Sequence, residues 1–451
     1  MRMLGKLAVA GASAIILLQL VRPPIPTGPA AAEIQAPPRV RQILEKNCYS
    51  CHSNERRLAW FDEVVPAYWL VRRDILSARE HLNFSTLGLK SAAAQKATLY
   101  EAVNMIQLGA MPLPQFTALH PDARVTPEEL SLLKTYLAPW SSDGSTGTGG
   151  SSLTAEAPLK SDLAAVPAEF NGVAFQPQFE NWKPISFTDR GDNNTLRIIL
   201  GNDIAVKAAQ SGNISPWPGG ASFAKIAWQK APGEDGLIHP GKFVQVEFMV
   251  KDARLYKHFE GWGWGRWRGT GLKPYGTDSR FVNECTGCHL PMRGDDFVYT
   301  LPMTVAKTGS NEVTNNKAAA LPQSLPYQPL DWNVITIYVD PRSHTMAALY
   351  GNDAAMRAVR ARSKDSSEST VAPPGSVLAL VTWAQREDPH WFGGRIPDTP
   401  KSVEFVQADA SGNLTSYRCY DGPGLNEHIL PADVAEKQTK FVSTLAPTWL
   451  P

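Results

Sequence analysis

The spacing of apolar residues along the chain changes at about residue 140. In residues 38–140 they recur every three to four positions, as on the buried face of an amphipathic helix. After residue 163, runs such as KFVQVEFMV, SVLALVTW and KSVEFVQ show the alternating or continuously apolar pattern of β-strands. The pattern predicts an all-α domain followed by β-rich α+β domains with antiparallel sheets.

Four helices are predicted in the helical region. The first leads into Cys48, and the second begins with Pro66, a favoured residue of the first helical turn. The third covers residues 92–108 and ends at Gly109. The fourth has Thr126 as N-cap, and the glutamate three residues later closes a capping box. A small all-helical region with one C-x-x-C-H sequence, at residues 48–52, has the plan of a cytochrome c-like domain.

The β-rich region contains an internal repeat. WKPISFTDRGDNNTLRIILGNDIAVKAA, beginning at Trp182, matches WNVITIYVDPRSHTMAALYGNDAAMRAV, beginning 150 residues later at Trp332. The Gly-Asn-Asp sequence at 201–203 recurs at the same offset, as expected for a turn that caps a helix. The repeat predicts two domains related by duplication, at residues 163–310 and 325–430.

The composition is that of a globular protein with several domains. The chain is 43% hydrophobic and 19% charged, which is normal for a globular protein. Its 451 residues are too many for one ordinary core. A formal net charge of +1 gives no reason to expect a nucleic-acid partner. Residues 141–162 are rich in Gly, Ser and Thr without an apolar period, which predicts a flexible linker.

The N-terminus predicts export. Arg2 and Lys6 precede an apolar run at 7–21, and the alanines at 30–32 are small enough for cleavage. The run is shorter than the roughly 20 residues of a comfortable transmembrane helix, and the alanines lie far from it. Residues 1–32 are therefore either a signal peptide or a retained inner-membrane anchor. In both cases the protein is periplasmic, and this segment is its only expected membrane contact.

Two C-x-x-C-H motifs predict the chemistry most directly. In such a motif two thiols add to the haem vinyl groups, and the histidine ligates the iron. A redox dithiol or half of a zinc site is the alternative, but a zinc site needs four ligands and these motifs are far apart. Two covalently attached c-type haems are predicted. One is held by Cys48, Cys51 and His52, and the other by Cys285, Cys288 and His289.

A loop after the third helix offers a second axial ligand for the first haem. Met111 lies there in the proline-containing sequence GAMPLPQF. A thioether ligand raises the haem potential and suits electron transfer. Met111 as a core residue is the alternative, and His81 and Met105 are rival ligands.

The helical region resembles a known family. ILEKNCYSCHSNE, VVPAYWLVRRDILSAREHLNFS and GAMPLPQFTALHP are similar to the bacterial haem-binding domain family, short exported c-type modules often fused to other domains. The likeness covers about 100 residues and implies one c-type haem. The family often has Pro-Trp where this chain has Ala59 and Trp60.

The first β-rich copy resembles cytochrome P-460 and its relative cytochrome c-prime-beta. TLRIILGN, GGASFAKIAW and ECTGCH occur in the order of that family, over about residues 170–305. The resemblance implies that Lys225 faces the haem and that Arg197 lies near its open face. In cytochrome P-460 a matching lysine is linked to a haem meso carbon, and the enzyme oxidises hydroxylamine. In cytochrome c-prime-beta the link is missing, and the protein binds nitric oxide.

The residues themselves leave alternatives for these two cations. A lysine in an apolar strand needs a partner, and burial would make Lys225 a neutral nucleophile. It could instead snorkel to the surface or pair with a haem propionate. Arg197 could donate hydrogen bonds to a nitrogen oxide or to a propionate. GWGWGRW at 261–267 could wall the pocket or be plain core.

The second copy serves as an internal control. It lacks a C-x-x-C-H motif and has only Cys419, with no assigned role, in the comparable stretch. What both copies keep belongs to the fold, and what the first alone keeps is a candidate for chemistry. Lys225 aligns with Leu380 and Arg197 with Ala347, so both cations are candidates for chemistry. Glu247 aligns with Glu404 and is therefore assigned to the fold.

An open coordination position is expected at the second haem. His239 and His258 are the alternatives as a sixth ligand, and lone histidines are more often surface or packing residues. The sequence therefore predicts an exported dihaem c-type cytochrome. Its Met/His haem would collect electrons from a P-460-like haem that oxidises hydroxylamine, and would pass them to a redox partner protein. A non-enzymatic electron carrier and a nitric oxide binding protein are the alternatives.

Overall fold

A computed structural model describes most of the chain in two compact units, Met1–Ala138 and Pro139–Pro451. The predicted linker at 141–162 and most of the apolar run at 7–21 lie outside the described residues. Within the described part, no helix has both the length and the apolar character needed to cross a bilayer. The described residues are 13, 16–137, 163–278, 280–303, 315–364 and 372–448.

The first unit is helical, as the apolar period predicts. The predicted capping box is present, because Glu129 N donates to Thr126 Oγ1 at 3.2 Å and Thr126 N donates to Glu129 Oε2 at 2.9 Å. The α-helices of this unit are α1 (Pro38–Asn47), α2 (Tyr49–His52), α3 (Ala67–His81), α4 (Phe84–Leu87), α5 (Ala92–Gln107), α6 (Pro114–Leu119) and α7 (Pro127–Leu137).

Among its described residues, the second unit is built on one antiparallel sheet of twelve strands. The strands are β1 (Lys183–Arg190), β2 (Thr195–Gly201), β3 (Ser222–Pro232), β4 (Ile238–Lys251), β5 (Trp262–Arg268), β6 (Lys273–Pro274), β7 (Asn333–Asp340), β8 (Thr345–Gly351), β9 (Val377–Glu387), β10 (Gly394–Ala408), β11 (Leu414–Asp421) and β12 (Asn426–His428). The helices of this unit are α8 (Asp203–Ser211), α9 (Arg280–His289), α10 (Asp353–Lys364) and α11 (Ala432–Thr444).

Eight of these strands close into a ring. Their order is β1-β2-β3-β4-β7-β8-β9-β10, and β1 pairs back with β10 where Asp189 lies opposite Arg395. The β4–β7 contact joins Ile238 to Val339. Closure pairs the strand edges that each β-rich region would expose alone. The structure therefore joins the regions predicted as separate domains into a single unit.

The inside of the ring is filled by side chains from both β-rich regions. Trp228 and Phe248 from the first region belong to the same buried cluster as Trp383 from the second. The ring of Phe187 lies 6.2 Å from that of Trp383 and 6.3 Å from that of Tyr350. Because the core is shared, the two regions are expected to unfold together.

The order strand-strand-helix-strand-strand occurs twice around the ring. It appears as β1, β2, α8, β3, β4 and again as β7, β8, α10, β9, β10. The predicted caps are present in both, since Asn202 accepts from Ala205 N at 3.0 Å and Asn352 accepts from Ala355 N at 2.9 Å. An origin by duplication stays a prediction.

Replacing Trp383 by leucine should destabilise both β-rich regions together. The change removes an indole from the shared core and is expected to cost about 3 kcal/mol. Hydrogen exchange read by mass spectrometry in rising urea should show peptides from 183–251 and 333–408 losing protection at the same lower urea concentration. Ile429→Ala, at a side chain that is 90% exposed, is the control. Separate transitions for the two regions would contradict the shared core.

Candidate functional site

The first C-x-x-C-H motif lies where α1 meets α2. Cys48 occupies the junction, and Cys51 and His52 are on α2. The Nδ1 atom of His52 lies 2.9 Å from the carbonyl oxygen of Leu82. A carbonyl only accepts, so Nδ1 carries the proton and Nε2 keeps a lone pair for a metal. Burial lowers the pKa of His52 and keeps the ring neutral.

The three candidate second ligands of this motif lie at different places in the helical unit. His81 is the last residue of α3, and its Nδ1 lies 2.9 Å from the carbonyl oxygen of Ser77. Met111 is half-buried after α5, and its backbone N–H donates to the carbonyl of Met105 at 3.0 Å. The choice of Met111 over His81 and Met105 stays a prediction.

The second motif lies at the C-terminal end of α9 and repeats this arrangement. His289 Nδ1 lies 2.7 Å from the carbonyl oxygen of Phe297, which again leaves Nε2 free to ligate. Burial lowers the pKa of His289 to about 4, so the imidazole is neutral at neutral pH. Burial raises the pKa of the Cys285 thiol to about 12. Cys288 lies between them in the motif.

A charged cluster lies on the outer face of the sheet, on the side away from the core inside the ring. Strand register sets its members on one face, because Lys225 is opposite Glu247 and Glu247 is opposite Arg266. Arg197 shares this face on β2, two residues from the partner of Lys225. The outer cluster therefore consists of Arg197, Lys225, Glu247 and Arg266.

Glu247 is the centre of the outer cluster. The ammonium group of Lys225 forms an ion pair with it, and Arg266 Nε donates to its Oε1 at 2.6 Å. Arg266 Nη1 also donates to Glu284 Oε1 at 3.0 Å, which ties β5 to α9 beside Cys285. Burial opposes ionisation of Glu247, but the two cations hold its pKa below the usual range. The carboxylate therefore stays ionised.

Lys225 lines a recess in the sheet face. Its strand neighbours are buried, yet 34% of its side-chain surface is open. Burial lowers the pKa of Lys225 below its ordinary value, although the Glu247 carboxylate opposes this shift. On α9, a side chain added at Gly287 would meet nothing within 4 Å. There is thus open space on both the sheet and the helix that carries the motif.

Arg197 is buried at one side of this cluster. Its Nε donates to Thr195 Oγ1 at 3.2 Å. Burial lowers the pKa of Arg197 to about 9, and the neighbouring cation Arg190 adds to the effect. Arg190 itself is paired with Asp192, with Nε to Oδ1 at 2.6 Å. A cation so placed suits an anionic or polar group in the recess, such as a haem propionate or a nitrogen oxide.

Aromatic side chains surround His289. Its ring lies 4.5 Å from that of Trp264 and 5.1 Å from that of Tyr299. The Tyr299 hydroxyl donates to the Cys288 carbonyl at 2.6 Å, which fixes the end of α9. The GWGWGRW segment contributes to both the pocket wall and the core. Trp264 lies against His289, whereas Trp267 belongs to the core inside the ring.

The second β-rich region also reaches this site. His390 Nδ1 donates to the carbonyl of Tyr299 at 2.8 Å, and the ring of Trp391 lies 5.3 Å from that of Tyr299. The guanidinium of Arg190 stacks 4.1 Å above Trp391. The β9–β10 loop therefore supports Tyr299, the residue that fixes the end of α9. Sequence reasoning missed this contact, which joins positions about 90 residues apart.

The other histidines considered as ligands make contacts elsewhere. His239 pairs with Asp235 at 2.9 Å and lies opposite Ala231, six residues along β3 from Lys225. His258 is exposed in a short 3₁₀ turn. Sequence reasoning also missed Arg266 and Glu284. Arg266 follows Trp262 and Trp264 at a spacing of two residues along β5, and that spacing was the available signal for its face.

The equivalent face of the second region has different chemistry. Leu380 and Ala347 stand at the register positions of Lys225 and Arg197, as aligned. Glu404 accepts from the Tyr417 hydroxyl at 2.6 Å, and burial raises its pKa. Val442 of α11 packs into the apolar cluster that contains Leu380. The face is filled by side chains, and Glu247 differs from Glu404 because only Glu247 has cationic partners.

Both motifs fit a haem. Each offers two thiols outside any disulfide and a neutral histidine whose Nε2 is available. Within the described residues, no three His, Cys, Asp or Glu side chains converge as ligands of a bare metal ion. A haem bound at the second motif would meet the recess of Lys225, and the cationic outer cluster suits its propionates.

A helical unit and a β-rich unit, each with a haem-binding motif, define a haem cytochrome. Residues 12–139 match the family described as Haem-binding domain. Residues 176–300 and 327–417 match the family Cytochrome P460, in two segments that correspond to the two β-rich regions. The helical unit is thus similar to one haem-protein family and the β-rich unit to another, which together support a haem cytochrome. No curated protein matches it.

Replacing Glu247 by glutamine should destabilise the second unit far more than the same change at Glu404. Glu247→Gln leaves Lys225 and Arg266 without their shared carboxylate. The loss of stability should be about 2–3 kcal/mol, less than for a fully buried pair because Lys225 is partly open to solvent. Glu404→Gln changes one tyrosine hydrogen bond and should cost about 1 kcal/mol. Urea unfolding measures both. Equal losses would contradict the ionic role of Glu247.

Proposed function

We propose that the protein is an exported, periplasmic dihaem c-type cytochrome that oxidises hydroxylamine. One haem is attached through Cys48 and Cys51, and the other through Cys285 and Cys288. The matched families support a haem cytochrome. The thiols of both motifs lie outside any disulfide, and both histidines have an Nδ1–carbonyl hydrogen bond; these features support attachment at both motifs.

The helical unit is the electron-transfer module in this proposal. His52 would hold the iron of a bound haem through Nε2, and Met111 would offer its thioether as a second ligand. A thioether ligand stabilises reduced iron and raises its potential, which suits electron transfer. The module then accepts electrons from the second haem and passes them to a redox partner protein in the periplasm.

The outer cluster carries the catalytic part of the proposal. Its decisive observation is the Lys225–Glu247 ion pair on the sheet face that adjoins the His289 helix. The haem, when bound, supplies a redox-active iron with one protein ligand and one open position. Lys225 and Arg197 then donate hydrogen bonds to a small nitrogen oxide, and Trp264 excludes water beside His289.

Glu247 orients the cations of the site. Burial opposes its ionisation, but Lys225 and Arg266 hold its pKa below the usual range, so the carboxylate stays ionised and is a weak base. Burial lowers the pKa of Lys225 towards the neutral amine, the nucleophilic form of this side chain. Oxidation of hydroxylamine releases protons together with electrons, and a neutral Lys225 amine would accept one of these protons.

An apolar wall favours nitric oxide binding as the second candidate function. Phe223, Trp262 and Trp264 belong to the buried cluster on the outer face, with Cys285. Such a wall accommodates an uncharged diatomic gas at an open iron position. A nitric oxide protein would bind without turnover, and its Lys225 would stay unattached.

Replacing Lys225 by leucine should change the ferrous absorption spectrum. A lysine attached to the porphyrin perturbs its conjugation, so wild type should show a red-shifted band that is absent in Lys225→Leu. Lys230→Leu, on the same strand but paired with Asp189, is the control and should keep the band. Ordinary c-type spectra for all three proteins would refute the attachment and favour the nitric oxide candidate.

Removing each pair of thiols should separate the two roles. Wild type should contain two haems per chain by pyridine haemochrome assay, and each Cys→Ser double variant should contain one. Hydroxylamine added without oxygen should reduce the first haem in wild type but not in C285S/C288S. The C48S/C51S variant should oxidise hydroxylamine only when an artificial acceptor is added. Unchanged oxidation by C285S/C288S would refute the proposed site.

A further inference from the structure

The chain just after the apolar run is bound to the helical unit along its length. The Gln19 amide exchanges two hydrogen bonds with the backbone of Val65, at 3.2 and 3.0 Å. Arg22 forms an ion pair with Glu63. Three side chains of α3 donate to backbone carbonyls of the segment: Trp69 Nε1 to Val21 at 2.8 Å, Tyr68 hydroxyl to Pro23 at 2.6 Å, and Arg72 Nε to Pro24 at 3.1 Å.

The alanines that offer a cleavage site are part of the same folded segment. The backbone N–H groups of Ala31 and Ala32 both donate to the Ser85 carbonyl, at 2.9 and 3.1 Å. The Ala32 carbonyl accepts from Gly88 N at 2.9 Å. A side chain at Gly88 would come within 2.8 Å of that carbonyl oxygen, so the two backbones pack in direct contact. Ile25 is 5% exposed and packs against Val65 and its neighbours.

Cleavage after these alanines would damage the haem-binding unit. It would remove Ile25 from a core of Val65, Tyr68 and Ile75, and would leave the Tyr68 hydroxyl without its carbonyl. It would also remove the hydrogen bond from Gly28 N to the carbonyl of Asn54, which follows the first C-x-x-C-H motif by two residues. A segment that completes the fold in this way is expected to remain in the mature protein.

Exposed apolar side chains surround the point where this segment leaves the unit. Trp60, Val64 and Leu70 are 79%, 41% and 56% exposed, and Trp69 is 37% exposed while bonded to Val21. We call these four residues the tryptophan patch. Exposed indoles beside aliphatic side chains are typical of surfaces that lie in the headgroup region of a bilayer. The described end of the apolar run lies beside this patch, because Gln19 is hydrogen-bonded to Val65 and Val21 to Trp69.

We propose that residues 19–32 are a permanent part of the helical unit, and that the protein is held on a lipid bilayer by its uncleaved N-terminus and the tryptophan patch. The apolar run alone is short for a spanning helix. Contact by the patch supplies the additional apolar area, and Arg72 on the same helix can meet anionic headgroups. The two attachments together give stable anchoring.

The mature N-terminus tests the first part of this proposal. The full chain with a C-terminal tag, expressed in a Gram-negative host that attaches c-type haem, should yield peptides covering residues 19–32 by mass spectrometry. The protein should sediment with the membrane fraction and resist carbonate extraction. A mature chain that begins at Glu33 would overturn the proposal, whatever the outcome for the haems.

Labelling of the full-length protein tests the patch. Trp60→Cys, labelled with an environment-sensitive fluorophore, should show a blue-shifted emission in vesicles of phosphatidylethanolamine and phosphatidylglycerol. Leu89→Cys is the matched control, since Leu89 is 70% exposed and follows Gly88, which contacts Ala32 at the other end of the segment. Its label should keep the emission seen in water. The same emission from both labels would overturn the role of the tryptophan patch.

Discussion

The closed ring of eight strands is the constraint on which the second unit depends. Its inside must be apolar, because side chains from both β-rich regions meet there without water. Alternation along each strand then sends every second residue to the outer face. Charged residues such as Lys225 and Glu247 have no place in the core, so any chemistry of this unit lies on the outside. The helix that carries His289 adjoins that outer face.

The two β-rich regions have the same strand register, but the side chains at matching positions make different contacts. In the first, Lys225, Glu247 and Arg266 form a charged recess; in the second, Leu380 is packed under α11 and Glu404 binds a tyrosine. The region without a motif still supports the first region, because its β9–β10 loop holds Tyr299, which contacts the end of α9. The two regions therefore depend on each other both in their core and at the site.

Local signals made much of this architecture predictable. The period of the apolar residues separated the helical unit from the β-rich unit, and the repeat aligned Lys225 with Leu380 in the register that the structure has. Ring closure was not predictable, since pairing between β1 and β10 depends on strand edges rather than on pattern. The role of Glu247 was also missed, because retention of the residue in both copies says nothing about its different partners.

Peptide mass spectrometry of the haem-loaded protein shows directly whether both motifs carry haem. We expect a haem on the peptide containing Cys48 and Cys51 and another on the peptide containing Cys285 and Cys288, with Cys419 unmodified. A Cys285–Cys288 peptide without haem, in protein that carries haem at the first motif, would contradict the assignment of the outer sheet face as a haem site.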